Sequence, residues 1–411
     1  MLDTALREWA RNRLTEIGWA DVVVGIPAFN SERTISHVMK AAAEGLSTFY
    51  PGKALLLIVS DGGSTDYTRE VAQKTKLARG VDKVVTIYRG VPGKGTSLRC
   101  IFEGALLLEA KACAVFDSDL RSITPEWVRS VVEPVLSQGY DFVSPFYVRH
   151  KYDATITNHI ARSLTQALYG KRLRQPIGGD FGLSPRMMKR LTQEDVWETD
   201  VAKFGIDIWM TTIAICEGMR VCETFLGSKI HDPKDPAAHL GPMFRQVVGT
   251  LFGMMGRYEN VWKSIRGSEP VPLVGAVKEI EPEPVEVSVP TLCRRYREGL
   301  EHFGAVWHQV VGEERFSRLQ EIARQEPDAW SFPTDLWVHV VYDFAAAFRR
   351  WSGDRPQLVE MLVPLYFGRV ASFVRETREM TTPQADRLVD EQARLFEELK
   401  PTLIERWERA G

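Results

Sequence analysis

Two carboxylates, Asp117 and Asp119, follow directly on an apolar run that begins near Ala114. An apolar run that ends in short acidic residues is typical of a buried parallel strand with the carboxylates at its carboxyl end. Open α/β sheets bind their ligands at this edge. Two hard oxygen donors there predict a Mg²⁺ or Mn²⁺ site that holds a phosphate-bearing substrate. The alternative is an ordinary strand end followed by an aspartate-capped turn.

The elements before this motif alternate between strands and helices. Three apolar runs that end in turn residues precede it, at Val22–Pro27, Leu55–Ser60 and Val84–Tyr88. With the strand that carries the motif, they predict four strand-then-helix units. Asn30 or Ser31 is the predicted N-cap of the first helix. This order predicts a doubly wound, mostly parallel α/β sheet with helices on both faces.

Polar side chains stand at the ends of these strands. Asn30 and Asp61 follow the first two strands, and Lys94 lies between two glycines after the third. Because the carboxyl ends of parallel strands share one edge of a sheet, these residues and the two aspartates predict a single site. The segment Gly90–Thr96 lacks the spacing of a P-loop. Lys94 can still meet a phosphate, since small neighbours let the backbone approach closely; the alternative is a solvated loop lysine.

The chain after the acidic motif supplies further candidate positions. A strand is predicted at Asp141–Tyr147, a glycine-rich turn at Gln175–Gly182 and a strand at Arg220–Leu226. Asp207 precedes an apolar helix, and His231 follows the last of these strands. Taken alone, a histidine at such a place is typical of a loop residue.

The sequence predicts four segments. Residues 1–20 show helical spacing and predict an amphipathic N-terminal helix. Residues 21–266 hold the strand–helix alternation, and residues 267–290 form a proline-rich linker. Residues 291–411 alternate apolar residues with Arg and Glu, which predicts an all-helical domain. This domain is a candidate dimer surface or a cover for the active-site mouth, so a homo-oligomer is one expectation.

The composition excludes several classes of protein. The chain has 411 residues, of which 44% are hydrophobic and 26% charged, and its net charge is −2. This charge offers no global field for nucleic acid or an anionic membrane, and no run approaches the ~18 apolar residues of a membrane span. The N-terminus lacks the apolar core of a signal peptide, so a cytoplasmic protein is expected. The five cysteines show no C-x-x-C spacing, which favours reduced thiols over a zinc site.

Three segments together resemble the GT-A glycosyltransferases: Ile26–Glu32, the loop Asp61–Asp66, and Asp117–Asp119. Further motifs resemble a narrower group, the retaining enzymes that glycosylate glycerate or 3-phosphoglycerate. This group comprises mannosylglycerate synthase, glucosylglycerate synthase and glucosyl-3-phosphoglycerate synthase. The further motifs are Pro92–Gly95, Arg149–Thr157, Gln175–Gly179, Gly205–Asp207 and His231. The resemblance covers about residues 20–265, and the C-terminal part only in kind.

The resemblance implies a retaining transfer of glucose or mannose from a nucleotide-diphosphate sugar to D-glycerate or 3-phosphoglycerate, which makes a compatible solute. It implies that Mg²⁺ or Mn²⁺ is held by Asp119 and His231, with the diphosphate completing the shell. The implied catalytic residues are Asp119, Lys94 and Asp207. The implied donor contacts are Pro27, Asn30, Asp61, Lys94, Asp117, Asp180 and Asp207. The implied acceptor contacts are Arg149, Thr157, Gly178 and Gly179.

Two departures from the group leave the substrates open. Val91 stands where the commonest pattern has arginine, and Asp180 stands where mannosylglycerate synthase has glutamate, so the donor sugar is not fixed. Five basic residues close in sequence to the implied acceptor segment keep a phosphorylated acceptor open as well. They are Lys151, Arg162, Lys171, Arg172 and Arg174.

Three other functions compete with this hypothesis. An inverting GT-A enzyme for polysaccharide or glycolipid synthesis would need a carboxylate base, for which Asp207 is a candidate. A nucleotidyltransferase usually carries an N-terminal glycine-rich loop with basic residues, and Gly25–Ala28 does not resemble one. A non-catalytic nucleotide-sugar-binding protein would keep its function without Asp119.

Overall fold

The six predicted strands lie in an eight-stranded sheet in the computed structural model, which describes residues 4–230, 236–278 and 280–409; the other two strands of the sheet, Phe181–Leu183 and Leu273–Val274, are short. In chain order the strands are β1 (Val22–Ala28), β2 (Leu55–Asp61), β3 (Val81–Ile87), β4 (Ala112–Val115), β5 (Phe142–Val148), β6 (Lys171–Arg172), β7 (Phe181–Leu183), β8 (Val221–Ser228), β9 (Glu269–Pro270) and β10 (Leu273–Val274). The order across the sheet is β10-β8-β5-β7-β4-β1-β2-β3, and β6 and β9 lie outside it. All neighbours are parallel except that β7 runs antiparallel to β4 and β5.

Helices fill the connections between the strands. In chain order they are α1 (Glu8–Ile17), α2 (Ile35–Phe49), α3 (Thr68–Lys74), α4 (Lys94–Leu107), α5 (Pro125–Gln138), α6 (Arg162–Tyr169), α7 (Pro185–Thr192), α8 (Ile206–Cys216), α9 (Pro236–Arg257), α10 (Glu259–Ser264), α11 (Val289–Val311), α12 (Glu313–Ala323), α13 (Thr334–Arg350), α14 (Arg355–Glu376), α15 (Thr382–Glu398) and α16 (Lys400–Glu408). A π-helical turn at Thr157–Ala161 precedes α6, and 3₁₀ turns lie at Asp200–Ala202 and Pro327–Ala329.

The chain forms two compact units. The first comprises Met1–Val148, Leu173–Lys234 and Pro270–Glu281. The second comprises Arg149–Arg172, Asp235–Glu269 and Pro282–Gly411. The sheet belongs to the first unit, whereas α6 and α9 to α16 belong to the second. The segment boundaries at residues 20, 266 and 290 stay a prediction.

Helices cover both faces of the sheet in the first unit. On one face, α2 and α5 pack with inward-facing strand residues such as Val22 and Val24 in one buried cluster. On the other face, α4 packs so closely that a Cβ at Gly25 would lie 2.2 Å from a side-chain carbon of Ile101. The predicted fold class, a doubly wound, mostly parallel α/β sheet with further helices in the C-terminal part, is confirmed.

The strand registers align the chemistry-bearing residues at one edge. β1 and β2 are buried at every position, as expected of central parallel strands. Their register sets Pro27 opposite Ser60 and Ala28 opposite Asp61. β4 pairs with β1 so that Val115 stands opposite Gly25. Asp117 therefore leaves its strand at the edge where β1 and β2 also end.

The predicted N-cap of the first helix is wrong. α2 begins at Ile35, with Thr34 at its N-cap and no side-chain cap. Asn30 and Ser31 are engaged elsewhere: Asn30 Oδ1 accepts from the Thr65 backbone N–H at 2.9 Å, and the Ser31 hydroxyl lies 2.8 Å from the Ser118 hydroxyl. These side chains join neighbouring loops, so they do not cap the helix.

In the part of the chain that the structure describes, one helix of the second unit is long and apolar enough to cross a membrane. It is α14, whose most apolar window is 83% buried inside the protein. A buried core helix meets the same criteria. The five cysteines carry no disulfide, and four of them, Cys100, Cys113, Cys222 and Cys293, are buried.

Candidate active site at the carboxyl edge of the sheet

Lys94 is the first residue of α4, and only 13% of its side chain is exposed. Its position depends on the next residue, Gly95. A Cβ at Gly95 would lie 1.8 Å from the carbonyl oxygen of Val201, so glycine is required for the first turn of α4 to pack against the 3₁₀ turn at Asp200–Ala202. This packing fixes the start of α4 and places the Lys94 ammonium group at the sheet edge.

Two ammonium groups meet on Asp117. Lys94 Nζ lies 2.9 Å from Asp117 Oδ1, and Lys229 Nζ donates to Asp117 Oδ2 at 2.8 Å. Lys229 also donates to Asp180 Oδ2 at 2.8 Å and to the carbonyl oxygen of Gly178 at 2.9 Å. The backbone N–H of Asp117 donates to Asp180 Oδ1 at 2.8 Å. Lys229 therefore holds the side chains of Asp117 and Asp180 together.

Asp207 completes this cluster from the first turn of α8. Lys94 Nζ lies 3.4 Å from Asp207 Oδ2. The other oxygen, Oδ1, is buried and has no hydrogen-bond partner among the described residues. A buried carboxylate oxygen without a donor is costly unless another group supplies one. This oxygen is therefore available to a hydroxyl of a bound ligand.

Opposing effects set the pKa values in the cluster. Burial would raise the pKa of Asp117, but Lys229 and Lys94 outweigh it and hold that pKa well below its usual range. Burial would lower the pKa of Lys94, but Asp117 and Asp207 raise it. Burial dominates at Asp180 and Asp207, and it raises both pKa values. Lys94 therefore keeps its positive charge, while the carboxylates outnumber the ammonium groups by one.

Gly179 lets the turn before β7 reach the cluster. Its φ is +90°, and a Cβ there would lie 2.4 Å from Asp117 Oδ2 and 2.9 Å from Lys229 Nζ. The carbonyl oxygen of Gly179 lies 3.4 Å from Lys94 Nζ. Gly178 and Gly179 thus turn carbonyl oxygens toward the lysines, and the acceptor contact of their amides stays a prediction.

Asn30 and Asp61 organise the loop after β2. Asp61 is fully buried, and its carboxylate accepts from the backbone of Gly63 and Ser64 at 2.8 and 2.9 Å. Asn30 has a φ of 47° and accepts from the backbone of Thr65. These contacts shape the loop beside the buried Pro27. Contact of these three residues with the nucleotide stays a prediction.

Asp119 is half-buried at the same edge, and the residues that follow it are hydrogen-bonded to the segment before residue 231. The Arg121 backbone N–H donates to the Ile230 carbonyl at 2.8 Å, and the Ile230 N–H donates to the Ser122 hydroxyl at 2.9 Å. His231, the other predicted metal ligand, lies outside the described residues. Among the residues that the structure describes, no three His, Cys, Asp or Glu side chains group closely enough to hold a metal ion.

The described donors nevertheless fit part of a hard divalent site. Asp119 brings a carboxylate, a ligand type that suits such an ion, to this edge, and both oxygens of Asp117 face ammonium groups. A metal here would therefore take its remaining ligands from a diphosphate and from outside the described residues. The metal site of Asp119 and His231 stays a prediction.

The predicted acceptor residues Arg149 and Thr157 belong to the second unit. Arg149 Nη1 lies 3.4 Å from Asp153 Oδ2, and Thr157 is buried at the start of the π-helical turn. Lys151 and Tyr152 donate to backbone carbonyls at the C-terminal end of α14. These bonds anchor the segment within its own unit, and its contact with the acceptor stays a prediction.

Four of the five basic residues near that segment have partners. Lys151 donates to backbone carbonyls, Arg162 pairs with Asp390, Lys171 pairs with Glu269, and Arg174 pairs with Glu223. Arg172 makes no side-chain hydrogen bond or ion pair with any described residue. These pairings leave little spare positive charge in this stretch for a phosphorylated acceptor.

Two members of the cluster, Lys229 and Tyr147, were not predicted from the sequence. The Tyr147 hydroxyl donates to Asp180 Oδ2 from the end of β5. Lys229 directly follows β8, at the same sheet edge. The rule that polar residues after parallel strands form the site would have found Lys229, because the strand before it was recognised.

Part of the chain is similar to proteins of a known family. Residues 23–193 match the model of the family described as Glycosyl transferase family 2. The chain resembles glycosyltransferases of this family. The matched residues include Lys94, Asp117 and Asp180 of the cluster, whereas Asp207 and Lys229 lie beyond them.

Two curated proteins and one solved structure are similar to the chain. An uncharacterized protein of Methanocaldococcus jannaschii is 35% identical over 132 residues, which is 32% of this chain and 48% of that protein. Glucosyl-3-phosphoglycerate synthase of Mycolicibacterium paratuberculosis is 27% identical over 259 residues, which is 57% of this chain and 72% of that protein. The chain therefore spans about half the length of the first relative. The predicted resemblance to glucosyl-3-phosphoglycerate synthase is confirmed.

The solved structure is glucosyl-3-phosphoglycerate synthase of Mycobacterium tuberculosis in complex with Mn²⁺, uridine diphosphate and glucosyl-3-phosphoglycerate. It is 25% identical, and the match covers 62% of this chain and 88% of that one, with a TM-score of 0.46.

Proposed function

We propose that the chain is a metal-dependent, retaining glycosyltransferase that moves glucose or mannose from a nucleotide-diphosphate sugar to D-glycerate or 3-phosphoglycerate. One observation carries the proposal. Lys94 and Lys229 meet Asp117, Asp180 and Asp207 at the edge where the parallel strands end, and Asp207 Oδ1 lacks a donor. Such an edge is where open α/β sheets hold their ligands. The product would be a compatible solute made in the cytoplasm.

Similarity to known enzymes supports this choice of substrates. The mycobacterial relative is named for glucosyl transfer to 3-phosphoglycerate, and its match extends well beyond the family 2 region. Glucose is therefore the first donor sugar to test and 3-phosphoglycerate the first phosphorylated acceptor. The basic residues near Arg149 in sequence are mostly ion-paired, which leaves little positive charge there for a phosphate group, so D-glycerate is tested as an equal alternative.

Lys94 would stabilise the leaving diphosphate. Cleavage of a sugar–diphosphate bond builds negative charge on the leaving oxygen, and a fixed cation in a partly dry site stabilises that charge. The raised pKa of Lys94 keeps its ammonium group charged for this role. A divalent ion held by Asp119 and His231 would supply further electrostatic stabilisation of the same charge.

The aspartates would have separate tasks. Asp207 would accept a hydrogen bond from a hydroxyl of the transferred sugar through its unpartnered Oδ1. Asp180, whose oxygens face the Asp117 backbone, Tyr147 and Lys229, would fix Asp117 rather than touch the sugar. Asp117 would orient Lys94 and face the ribose. In a front-face retaining reaction the leaving phosphate takes the acceptor proton, so these residues need not act as a base.

The acceptor would be held by its carboxylate. An arginine offers the planar, bidentate donor that suits a small carboxylate, and Arg149 is the residue we assign to it. Thr157, in the same unit as Arg149, would be a second acceptor contact.

Product formation tests the proposal. UDP- and GDP-linked glucose and mannose are each incubated with D-glycerate or 3-phosphoglycerate, with Mg²⁺, Mn²⁺ or a chelator, and the product's anomeric configuration is read by NMR. Metal-dependent transfer with retained configuration is expected for one donor–acceptor pair. An inverted product would favour the polysaccharide-type alternative. Absence of both transfer and donor hydrolysis for every pair would refute the proposal.

A further inference from the structure

A cavity of about 480 Å³ lies within the second unit. It is lined by residues from α6 and β6, from the segment after α10, from the end of α15 and from α16. Its volume falls in the range of small-molecule sites, which is roughly 300–1,000 Å³. Neither the sequence motifs nor the cluster on Asp117 accounts for this cavity.

Positive side chains outnumber negative ones in its lining. Lys400 is buried, with 4% of the residue exposed, while Arg172, Arg266 and Arg394 are exposed. Lys400 Nζ donates to the Ile265 carbonyl at 2.9 Å, and Arg266 donates to the Lys263 carbonyl. Arg172 and Arg394 form no side-chain hydrogen bond or ion pair with the residues that the structure describes. Two guanidinium groups are therefore available to a ligand.

The carboxylates of the lining do not balance this charge. Glu397 and Glu398 face four cationic side chains. Glu397 Oε2 already accepts from Gln166 Nε2 at 3.0 Å and from the Ser268 hydroxyl at 2.7 Å. The lining therefore carries a surplus of two positive charges. Burial, followed by the charge of Arg266, lowers the pKa of Lys400 to about 8, as expected for an ammonium group in a positive environment.

We propose that this cavity binds the phosphate group of an organic phosphomonoester. A phosphomonoester carries about −1.5 to −2 charges near neutral pH, which matches the surplus. Arginine forks suit its oxygens, and the volume exceeds what inorganic phosphate alone would fill. The site is built from residues of the second unit only, so it does not depend on the proposed glycosyl transfer.

Isothermal titration calorimetry at constant ionic strength tests this site. Ribose 5-phosphate is the probe. Inorganic phosphate shows how much of the binding comes from the phosphate group alone, and ribose is the uncharged control. We expect saturable binding of one ribose 5-phosphate per chain, tighter than that of inorganic phosphate, and none of ribose. Arg394→Gln should weaken binding at least about tenfold, because a hydrogen bond to a charged group is lost. The double variant Arg172→Gln/Arg394→Gln should weaken it further.

Arg294→Gln is the matched control. Arg294 lies in α11 of the same unit with 67% of its side chain exposed, and it does not line the cavity. Its loss should change binding by less than about twofold. Equal effects of the Arg394 and Arg294 variants would overturn the proposal. The proposal would also be overturned if ribose 5-phosphate showed no saturable binding below about 10 mM, or if inorganic phosphate bound as tightly as ribose 5-phosphate.

Discussion

Lys229→Met would remove the buried ammonium group that joins Asp117 to Asp180. The Lys229 side chain is 5% exposed, and its nitrogen lies 2.8 Å from an oxygen of each carboxylate and 2.9 Å from the Gly178 carbonyl. Methionine keeps the apolar length of the side chain but supplies no charge. Asp180, whose side chain is fully buried, would then face Asp117 without its cation.

The expected loss follows from this burial. Removing one partner of a buried ion pair typically costs about 3–5 kcal/mol, because the other charge stays buried and uncompensated. An exposed pair contributes only about 0–1 kcal/mol. The pair of Arg13 with Glu16 in α1 is of this second kind, with side chains 53% and 66% exposed. Arg13→Met is therefore the matched control in the same unit.

The loss should depend on pH in a defined direction. In the native protein, Lys229 and Lys94 depress the Asp117 pKa below the ordinary aspartate value of about 3.9. This stabilisation is therefore present above that ordinary value and is lost as the pH falls through the depressed pKa. Without Lys229, the pKa values of Asp117 and Asp180 both rise, and the folded variant binds more protons. The free energy of unfolding of the variant should therefore fall further below that of the native chain between about pH 5 and about pH 8.

Urea unfolding of both variants and of the native chain at these two pH values measures the effect. We expect Lys229→Met to lower the free energy of unfolding by about 3 kcal/mol or more at the higher pH, and Arg13→Met by less than about 1 kcal/mol. Equal losses in the two variants, or a Lys229 deficit that shrinks as the pH rises, would refute the account of the cluster.

Three further predictions concern the same edge of the sheet. Gly179→Ala should destabilise the protein by about 3 kcal/mol in urea unfolding, because its Cβ would meet Asp117, whereas Gly80→Ala, with a similar φ of +86° but open space, should cost only about 1 kcal/mol. Asp207→Asn should lower kcat/KM at least about tenfold. Burial raises the Asp207 pKa, so the ionised carboxylate destabilises the fold near pH 8, and the free energy of unfolding of the variant should be unchanged or higher there. Asp119→Asn should weaken Mn²⁺ binding at least about tenfold in calorimetry, and an unchanged affinity would remove Asp119 from the metal site.

Much of the fold could be predicted because the central strands are simple. β1, β2 and β4 are apolar runs that end in turn residues, and the alternation with helices leaves few topologies. β7 could not be predicted in the same way. It has three residues and is held antiparallel between β4 and β5 by tertiary pairing, which no local pattern reveals.

The candidate site was predicted in part for the same reason. Lys94 and Asp117 stand after strands, so topology brings them to one edge, whereas Asp207, in the first turn of α8, was implied only by the resemblance. Lys229 also follows a predicted strand, so the strand-end rule includes it as a candidate, and its burial shows that it belongs to the site. Asp61 also stands at the end of a strand, but its carboxylate accepts hydrogen bonds from Gly63 and Ser64 of its own loop.

Binding of nucleoside diphosphate tests the central claim most directly. UDP and GDP are titrated into the native chain and into Lys94→Met by calorimetry, with Mn²⁺ and with a chelator. We expect one of the two nucleotides to bind once per chain, to require the metal, and to bind at least about tenfold more weakly to the variant, because a charged hydrogen bond is lost. Binding that ignores both the metal and Lys94, or no binding of either nucleotide, would contradict the assignment of this cluster as the donor site.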